Sequence, residues 1–362
     1  MNIKLLDKNR NIIGEVDNFY SLIWHRKYFD TGAFELVCAP NDALLETAYL
    51  YRADAKETGR VERVQYEQTD TGALMFTVSG RFLESYLSDR IIYPTYTTYS
   101  AKQTGAVIAD LIRLNLIAPS DNARKLANSK MGTVEATPNI EALQISYDNL
   151  SEYIYELCLQ NGCSVRAVFD FDTNEIVFEV WNGKDRTQDQ ELNNPAVFAN
   201  EFDNINTLNY TDDITDYRNY AYIAGEDGGT NRVIKTINNV LNGEERRELF
   251  VDARDLQSED EDGNPISSTA YTNMLLQRGR EKIAEWLRLQ TVDCDISVHN
   301  KSLIYKEDYD LGDICTVKYE AAGIIAEKRI TEIIETWEEN ALNISAVFGE
   351  DTLNFWSIGR HR

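Results

Sequence analysis

Residues 326–349 alternate apolar and polar positions on either side of the polar break Glu338-Glu339-Asn340, and so predict a β-hairpin. Its second arm places Leu342, Ile344, Ala346 and Phe348 on one face. Residues 60–80 carry a weaker copy, with a turn at Asp70-Thr71-Gly72 and an apolar face of Leu74, Phe76 and Val78. Val61 and Val64 match Ile330 and Ile333, and Leu74, Phe76 and Val78 match Leu342, Ile344 and Ala346, after a one-residue change in turn length. Both second arms end near a glycine, Gly80 and Gly349. Two such hairpins predict two related β-barrels in one chain, although unrelated antiparallel hairpins can share this pattern.

Taken in order, Ile3–Leu6 and Ile12–Val16 flank a turn at Asp7-Lys8-Asn9-Arg10-Asn11. Residues 19–29 and 32–40 pair about Asp30-Thr31-Gly32, with Phe34 and Leu36 facing one way. Residues 41–48 predict a short helix capped by Asn41 or Asp42, and 81–88 predict another. Near residue 93 the period changes. Val107, Leu111 and Leu114 stand at helical spacing. A further helix begins at Asn149, has Glu152 at N3, stops at Gly162 and buries Tyr153, Ile154 and Leu157. A hairpin over 163–181 sets Ile176, Phe178 and Val180 on one face.

Residues 182–216 read as a polar, acidic connection that returns to β structure at 217–226. Segments 232–240 and 244–251 flank a turn at Asn242-Gly243, and 258–268 is a solvated loop. The longest helix is expected over 269–289, with Leu275, Leu276, Ile283, Trp286 and Leu287 inward. Strands at 291–299 and 309–320 then lead into the last hairpin, and the tail carries Phe355 and Trp356. The expected fold is mainly β with an α/β insert (α+β). Its parts are a first β-barrel at 1–95, an inserted α/β domain at 96–200, and a second barrel at 201–350 with an excursion at about 226–289. A tail follows at 351–362. The pattern leaves open which barrel owns 217–225.

A length of 362 residues allows two or three domains, and 43% hydrophobic content marks a folded chain. The net charge of −24 argues against nucleic-acid binding by phosphate neutralisation, which needs clustered Lys and Arg. Half of the acidic excess lies in 91–230, where 21 acidic groups face 9 basic ones; solubility is the ordinary reason. Cys38, Cys158, Cys163, Cys294 and Cys315 are odd in number and widely spaced, as free buried thiols of a reducing cytoplasm would be. The N-terminus lacks the apolar core of a signal peptide, and no run approaches 18 apolar residues, so no membrane insertion is expected.

His25, His299 and His361 sit in different elements without nearby ligands, which argues against zinc and leaves His25 a structural role. Asp260, Asp262 and Gly263 resemble part of a calcium loop, but Ser258 and Thr269 occupy its first and last ligand positions. A solvated acidic loop fits better. Sixty acidic residues make chance carboxylate pairs inevitable, so sequence cannot identify a glycosidase pair. No nucleophile elbow, phosphate loop or dinucleotide fingerprint is present. No enzyme is expected, and no catalytic, cofactor-binding or metal-ligating residue is assigned. Asp310-Leu311-Gly312-Asp313 is the sharpest local signature, a tight turn before the strand at 314–319, with turn-forming rather than catalytic aspartates.

The opening IKLLDKNRNIIGEVDNFYSLIWHRKYFDTGAFELVCAP resembles the phage tail hub proteins, also called tail-tip or baseplate hub proteins. The helix at 269–289 and the run YDLGDICTVKYEAAGIIAEKRITEIIETWEENALNISAVFG carry the same resemblance. The family includes siphophage proteins whose N-terminal region forms the structural part of tail-associated lysins. The resemblance implies a homotrimer in which two similar barrels per chain build a pseudo-sixfold ring. Such a ring would meet the tail tube, distal tail protein and tape measure protein on one side and a threefold fibre, spike or plug on the other. DNA would pass through without specific binding, helped by a negative lumen. The protein would be made in the host cytoplasm and sit at the distal end of the virion tail. Relatives often continue into a peptidase, lysozyme or fibre region; this chain ends soon after its last strand, so those activities are not expected. The alternatives are a carbohydrate- or receptor-binding tail protein using the 91–200 insert, and a cell-wall hydrolase.

Overall fold

The computed structural model describes residues 2–68, 72, 74–226, 232–238, 240–260, 262–296, 302–319, 323–338 and 341–349. Period-two alternation builds seven strands at the start: β1 (Ile3–Leu6), β2 (Ile12–Val16), β3 (Ser21–Lys27), β4 (Ala33–Cys38), β5 (Tyr49–Arg52), β6 (Thr58–Gln68) and β7 (Leu74–Phe82). They lie antiparallel in the order β3-β4-β7-β6-β5-β1-β2. Leu22, Trp24, Phe34, Leu36, Val78 and Phe82 all point to one face and form its core. Burial of each such side chain stabilises by ~1.5–3 kcal/mol. The two short helices are 3₁₀ turns at Asp42–Leu45, capped by Asn41, and at Leu83–Leu87.

The middle of the chain contains β8 (Tyr96–Thr98), β9 (Lys102–Gln103), α1 (Thr104–Ile112), β10 (Ser129–Val134), β11 (Asn139–Ile140) and β12 (Leu143–Ile145). It continues with α2 (Leu150–Asn161), β13 (Ser164–Asp170), β14 (Glu175–Trp181), β15 (Asp185–Arg186) and β16 (Val197–Ala199). The ends of α2 are as expected: Asn149 accepts from the N–H groups of Ser151 and Glu152, and Gly162 closes the helix at φ +69°. Tyr153, Ile154 and Leu157 are buried. The stripe of α1 departs from expectation. A π-helical turn at Arg113–Ile117 follows it, burying Leu116 and leaving Leu114 exposed, because the wider turn shifts the apolar face. The core around α1, α2 and the sheet β10-β14-β13 is continuous with Leu6 and Tyr49 of the first sheet and with Leu83 and Leu87 of the 3₁₀ turn that follows it.

The last part holds β17 (Ile205–Asp213), β18 (Tyr220–Ala224), β19 (Ile234–Ile237), β20 (Glu248–Asp252) and α3 (Ser268–Ala284). After them come β21 (Leu289–Ile296), β22 (Ile314–Tyr319), β23 (Ile324–Glu338) and β24 (Ala341–Gly349). Three expectations need correction. Strand β17 lies inside the stretch read as connection, because its polar residues hide an edge strand. Helix α3 ends at Ala284, so Leu287 faces solvent and Leu289 opens a strand. Strand β18, within the 217–225 stretch, joins neither large set of strands: it pairs with β19 and β20 in a separate sheet covered by α3.

Five strands repeat. The order β17-β21-β24-β23, with β22 on the N-terminal part of β23, matches β3-β4-β7-β6-β5. A register shift lies between Val61 and Arg63 in one copy and between Ile330 and Glu332 in the other. Val64 then faces Val78 as Ile333 faces Ala346, Tyr66 faces Phe76 as Glu335 faces Ile344, and Gln68 faces Leu74 as Trp337 faces Leu342. The residue correspondence expected from sequence is therefore present in the pairing. The β18–α3 excursion occupies the place of the Asp30-Thr31-Gly32 turn in the first copy. The copies join through β3 and β23, which run antiparallel from Lys27↔Glu332 to Ser21↔Glu338. Among the described residues the strands form open sheets, and no closed barrel is seen. No described helix is long and apolar enough to cross a membrane.

Candidate functional site

The joint between the two copies is where the chain concentrates its buried charge. Arg26 on β3 donates from Nε to Glu57 at 2.8 Å and from its terminal nitrogen to Asp310 at 2.6 Å and the Tyr305 hydroxyl at 2.8 Å. Tyr305 donates to Glu335 on β23, and Arg52 donates to the same carboxylate at 2.7 Å. Lys306 adds a further contact to Glu335 at 3.2 Å. Arg52 is fully buried and also lies over the Trp24 ring. Burial pushes the carboxyls of Asp310 and Glu335 up, but Arg26 on the first and Arg52 and Lys306 on the second more than reverse it, leaving both below the ordinary range. Asp310 and Glu335 therefore stay ionised, and the network fastens β3, β5 and β23 together.

Two strand edges, each three strands away from this joint and on opposite sides of it, have no strand partner among the described residues. Beyond Arg60, β6 pairs only with β7. Strand β17 pairs only with β21. Tyr66 on β6 is 69% exposed and Tyr210 on β17 is 37% exposed. Unpaired edges of this length invite pairing with another chain. On the face opposite the cores, from the register shifts to the hairpin tips, the strands carry Glu35, Glu67, Asp213, Asp293, Asp295, Glu332 and Glu338 against Lys27, Arg63 and His25. Burial pushes the Asp293 carboxyl up, and the charge of Glu332 adds to that.

His25 meets Glu332 at 2.5 Å, a carboxylate from the far end of the chain that local spacing could not reveal. His299, His361, Asp70, Thr71 and the tail with Phe355 and Trp356 lie outside the described residues. Asp310 and Asp313 do form the turn: Asp310 accepts from the Leu311 N–H, Asp313 accepts from the Asp310 N–H, and Gly312 sits at φ +85°. They also bind distant arginines, Asp310 to Arg26 and Asp313 to Arg186 at 2.8 Å. Those partners were not legible from the motif. Asp260 accepts from the N–H groups of Asp262 and Asn264, a local turn. All five cysteines are free and buried. Among the described residues no group of three or more His, Cys, Asp or Glu is placed to hold a metal ion.

The architecture is one found in phage tail proteins. The chain is similar to the tail protein from Neisseria meningitidis MC58, with a TM-score of 0.58 and 12% identity over 97% of this chain and 96% of that one. It is similar to the 43 kDa tail protein of prophage MuSo2 from Shewanella oneidensis, with a TM-score of 0.57 and 13% identity over 96% and 98%. Prophage tail protein gp18 from Listeria monocytogenes EGD-e gives a TM-score of 0.54 and 12% identity over 99% and 98%. At these identities the likeness is one of fold. The model of the siphovirus ReqiPepy6 Gp37-like proteins matches residues 2–350, and the chain belongs to that family. No curated protein matches the sequence.

Proposed function

We propose that the protein is a structural, non-enzymatic component of a phage virion, acting as a hub at the distal end of the tail. Three copies form a pseudo-sixfold ring that joins the tail tube and distal tail protein to the tip and surrounds the path of the DNA. The repeating units are the strand sets within 1–95 and 201–350, with 96–200 placed between them in the chain as a peripheral α/β domain. The observation that carries this reading is the five-strand repeat with its register shift in the same place, already joined edge to edge inside one chain. Two equivalent units per chain let a trimer present six similar faces to a tube and three to a tip. The acidic face of the strands supports a channel wall: a surface of this sign repels the phosphate backbone and leaves DNA free to slide.

Native mass measurement tests the proposal. A species of three times 41.4 kDa is expected. A protein that stays monomeric at every concentration would remove the hub reading. A second reading, receptor or glycan binding through 91–200, draws on one observation. Tyr147 is 66% exposed at φ +63°, a strained backbone for tyrosine, and its ring lies 6.1 Å from that of Tyr93. A monomer that binds cell-wall polysaccharide, and loses that binding on Tyr147→Ala, would favour it.

A further inference from the structure

The geometry points to a specific joint between copies of this chain. The free edge of β6 pairs antiparallel with the free edge of β17 on the next copy, in the register Arg63↔Asp213, Gln65↔Thr211 and Tyr66↔Tyr210. The proposal rests on the ring reading and supplies its contact surface.

The joint already made inside the chain sets the pattern. There β3 and β23 pair with Lys27 opposite Glu332, His25 opposite Ile334 and Trp24 opposite Glu335. In the repeat, β17 takes the place of β3. Tyr210 faces Val292 as Trp24 faces Phe34, and those partners face Phe348 and Gly80 at matching positions of β24 and β7. Likewise β6 takes the place of β23, with Arg63 at Glu332, Gln65 at Ile334 and Tyr66 at Glu335. Because the inward registers agree, the N–H and C=O groups that point outward from β6 and β17 are those that β23 and β3 have already paired. A joint of the same kind between copies then has its register fixed.

The side chains at that register are complementary. Lys27 and Glu332 approach to 3.5 Å across the internal joint. Their counterparts, Asp213 and Arg63, have opposite charge again but with the signs exchanged between the strands. Attraction is kept, and an internal strand set against the wrong external edge would place Lys27 opposite Arg63 or Glu332 opposite Asp213. Next along, the two exposed tyrosines, Tyr66 and Tyr210, come opposite each other on the core-side face, where cross-strand aromatic pairs stabilise a sheet. The two edges differ, so each copy offers one and receives the other, the head-to-tail arrangement that closes into a ring when the rotation permits. Both edges, otherwise open to uncontrolled pairing, are then covered.

Cross-linking tests the register. The pair Gln65→Cys with Thr211→Cys, mildly oxidised in the native full-length protein, should give covalent chains up to trimer on a non-reducing gel. Each single variant should give none, since the native cysteines are buried. Gln65→Cys with Thr207→Cys, about 13 Å out of register, should also give none. Charge exchange provides the second arm. Arg63→Asp should weaken assembly by about tenfold or more, and adding Asp213→Arg should restore it. A trimeric mass without the 65–211 cross-link, and without rescue by the exchange, overturns this joint while the ring stands. A monomer in every sample overturns both.

Discussion

Glu335 and Arg52 are nearly inaccessible to water and hold each other at 2.7 Å, so neither can lose its partner without leaving a charge in the interior. Arg52→Ala should destabilise the protein by ~3–5 kcal/mol in urea unfolding, because the Glu335 carboxylate and the Trp24 ring both lose the guanidinium. A loss below about 1 kcal/mol would mean that the network holds nothing beyond what exposed pairs hold. Glu84 behaves differently. Burial pushes its carboxyl up to about 8, with the charge of Glu57 adding to the shift, so the folded state keeps a proton that the unfolded state releases near pH 4.5. Its contribution is fully present below pH 4.5 and is lost as pH rises through about 8. Stability should therefore fall with rising pH across that window, and Glu84→Gln should flatten the slope; identical slopes in both proteins would remove the assignment. At this scale the sequence was legible where partners are local, as at Asn149 and Gly162. It was silent where they are not: Arg26 lies 284 residues from Asp310.

Among elements, those with an apolar face were easy to read and the polar edge strand was not. The hairpin β13–β14 announces itself through Ile176, Phe178 and Val180, all fully buried. Strand β17 has the sequence INTLNYTDD, with most residues exposed, and nothing in its alternation separates it from a loop. Only its counterpart in the repeat, or the strand it pairs with, could have found it. Gly80 and Gly349, noted from sequence only as hairpin ends, turn out to be sites of close approach. A Cβ on Gly80 would lie 1.9 Å from the Arg60 carbonyl oxygen beside the register shift, and one on Gly349 would lie 2.3 Å from that of Gln290. Backbone cannot withdraw as a flexible side chain can. Gly80→Ala should destabilise by ~2–4 kcal/mol on thermal or chemical unfolding, and a neutral result would show that the shift can be relaxed away.

For the whole molecule, the duplication was visible in five apolar positions of two hairpins, and the structure extends it to five strands. The excursion β18–α3 obscured the rest, since it separates β17 from β21, whose counterparts β3 and β4 are adjacent along the first copy. Strand β23 is the element that makes one body of the two copies. Residues 324–329 pair with β22 in its own copy, and 332–338 pair on one side with β24 and on the other with β3. The amides of 332–338 should exchange with solvent only on the timescale of global unfolding; exchange as fast as loop amides in 189–195 would mean that the copies part at this seam. A continuous strand shared in this way acts as a girder. Tilting one copy against the other loads several main-chain hydrogen bonds in shear at once, so each chain moves as a rigid segment. In the proposed ring, a passage that had to widen would do so by sliding at the joints between chains.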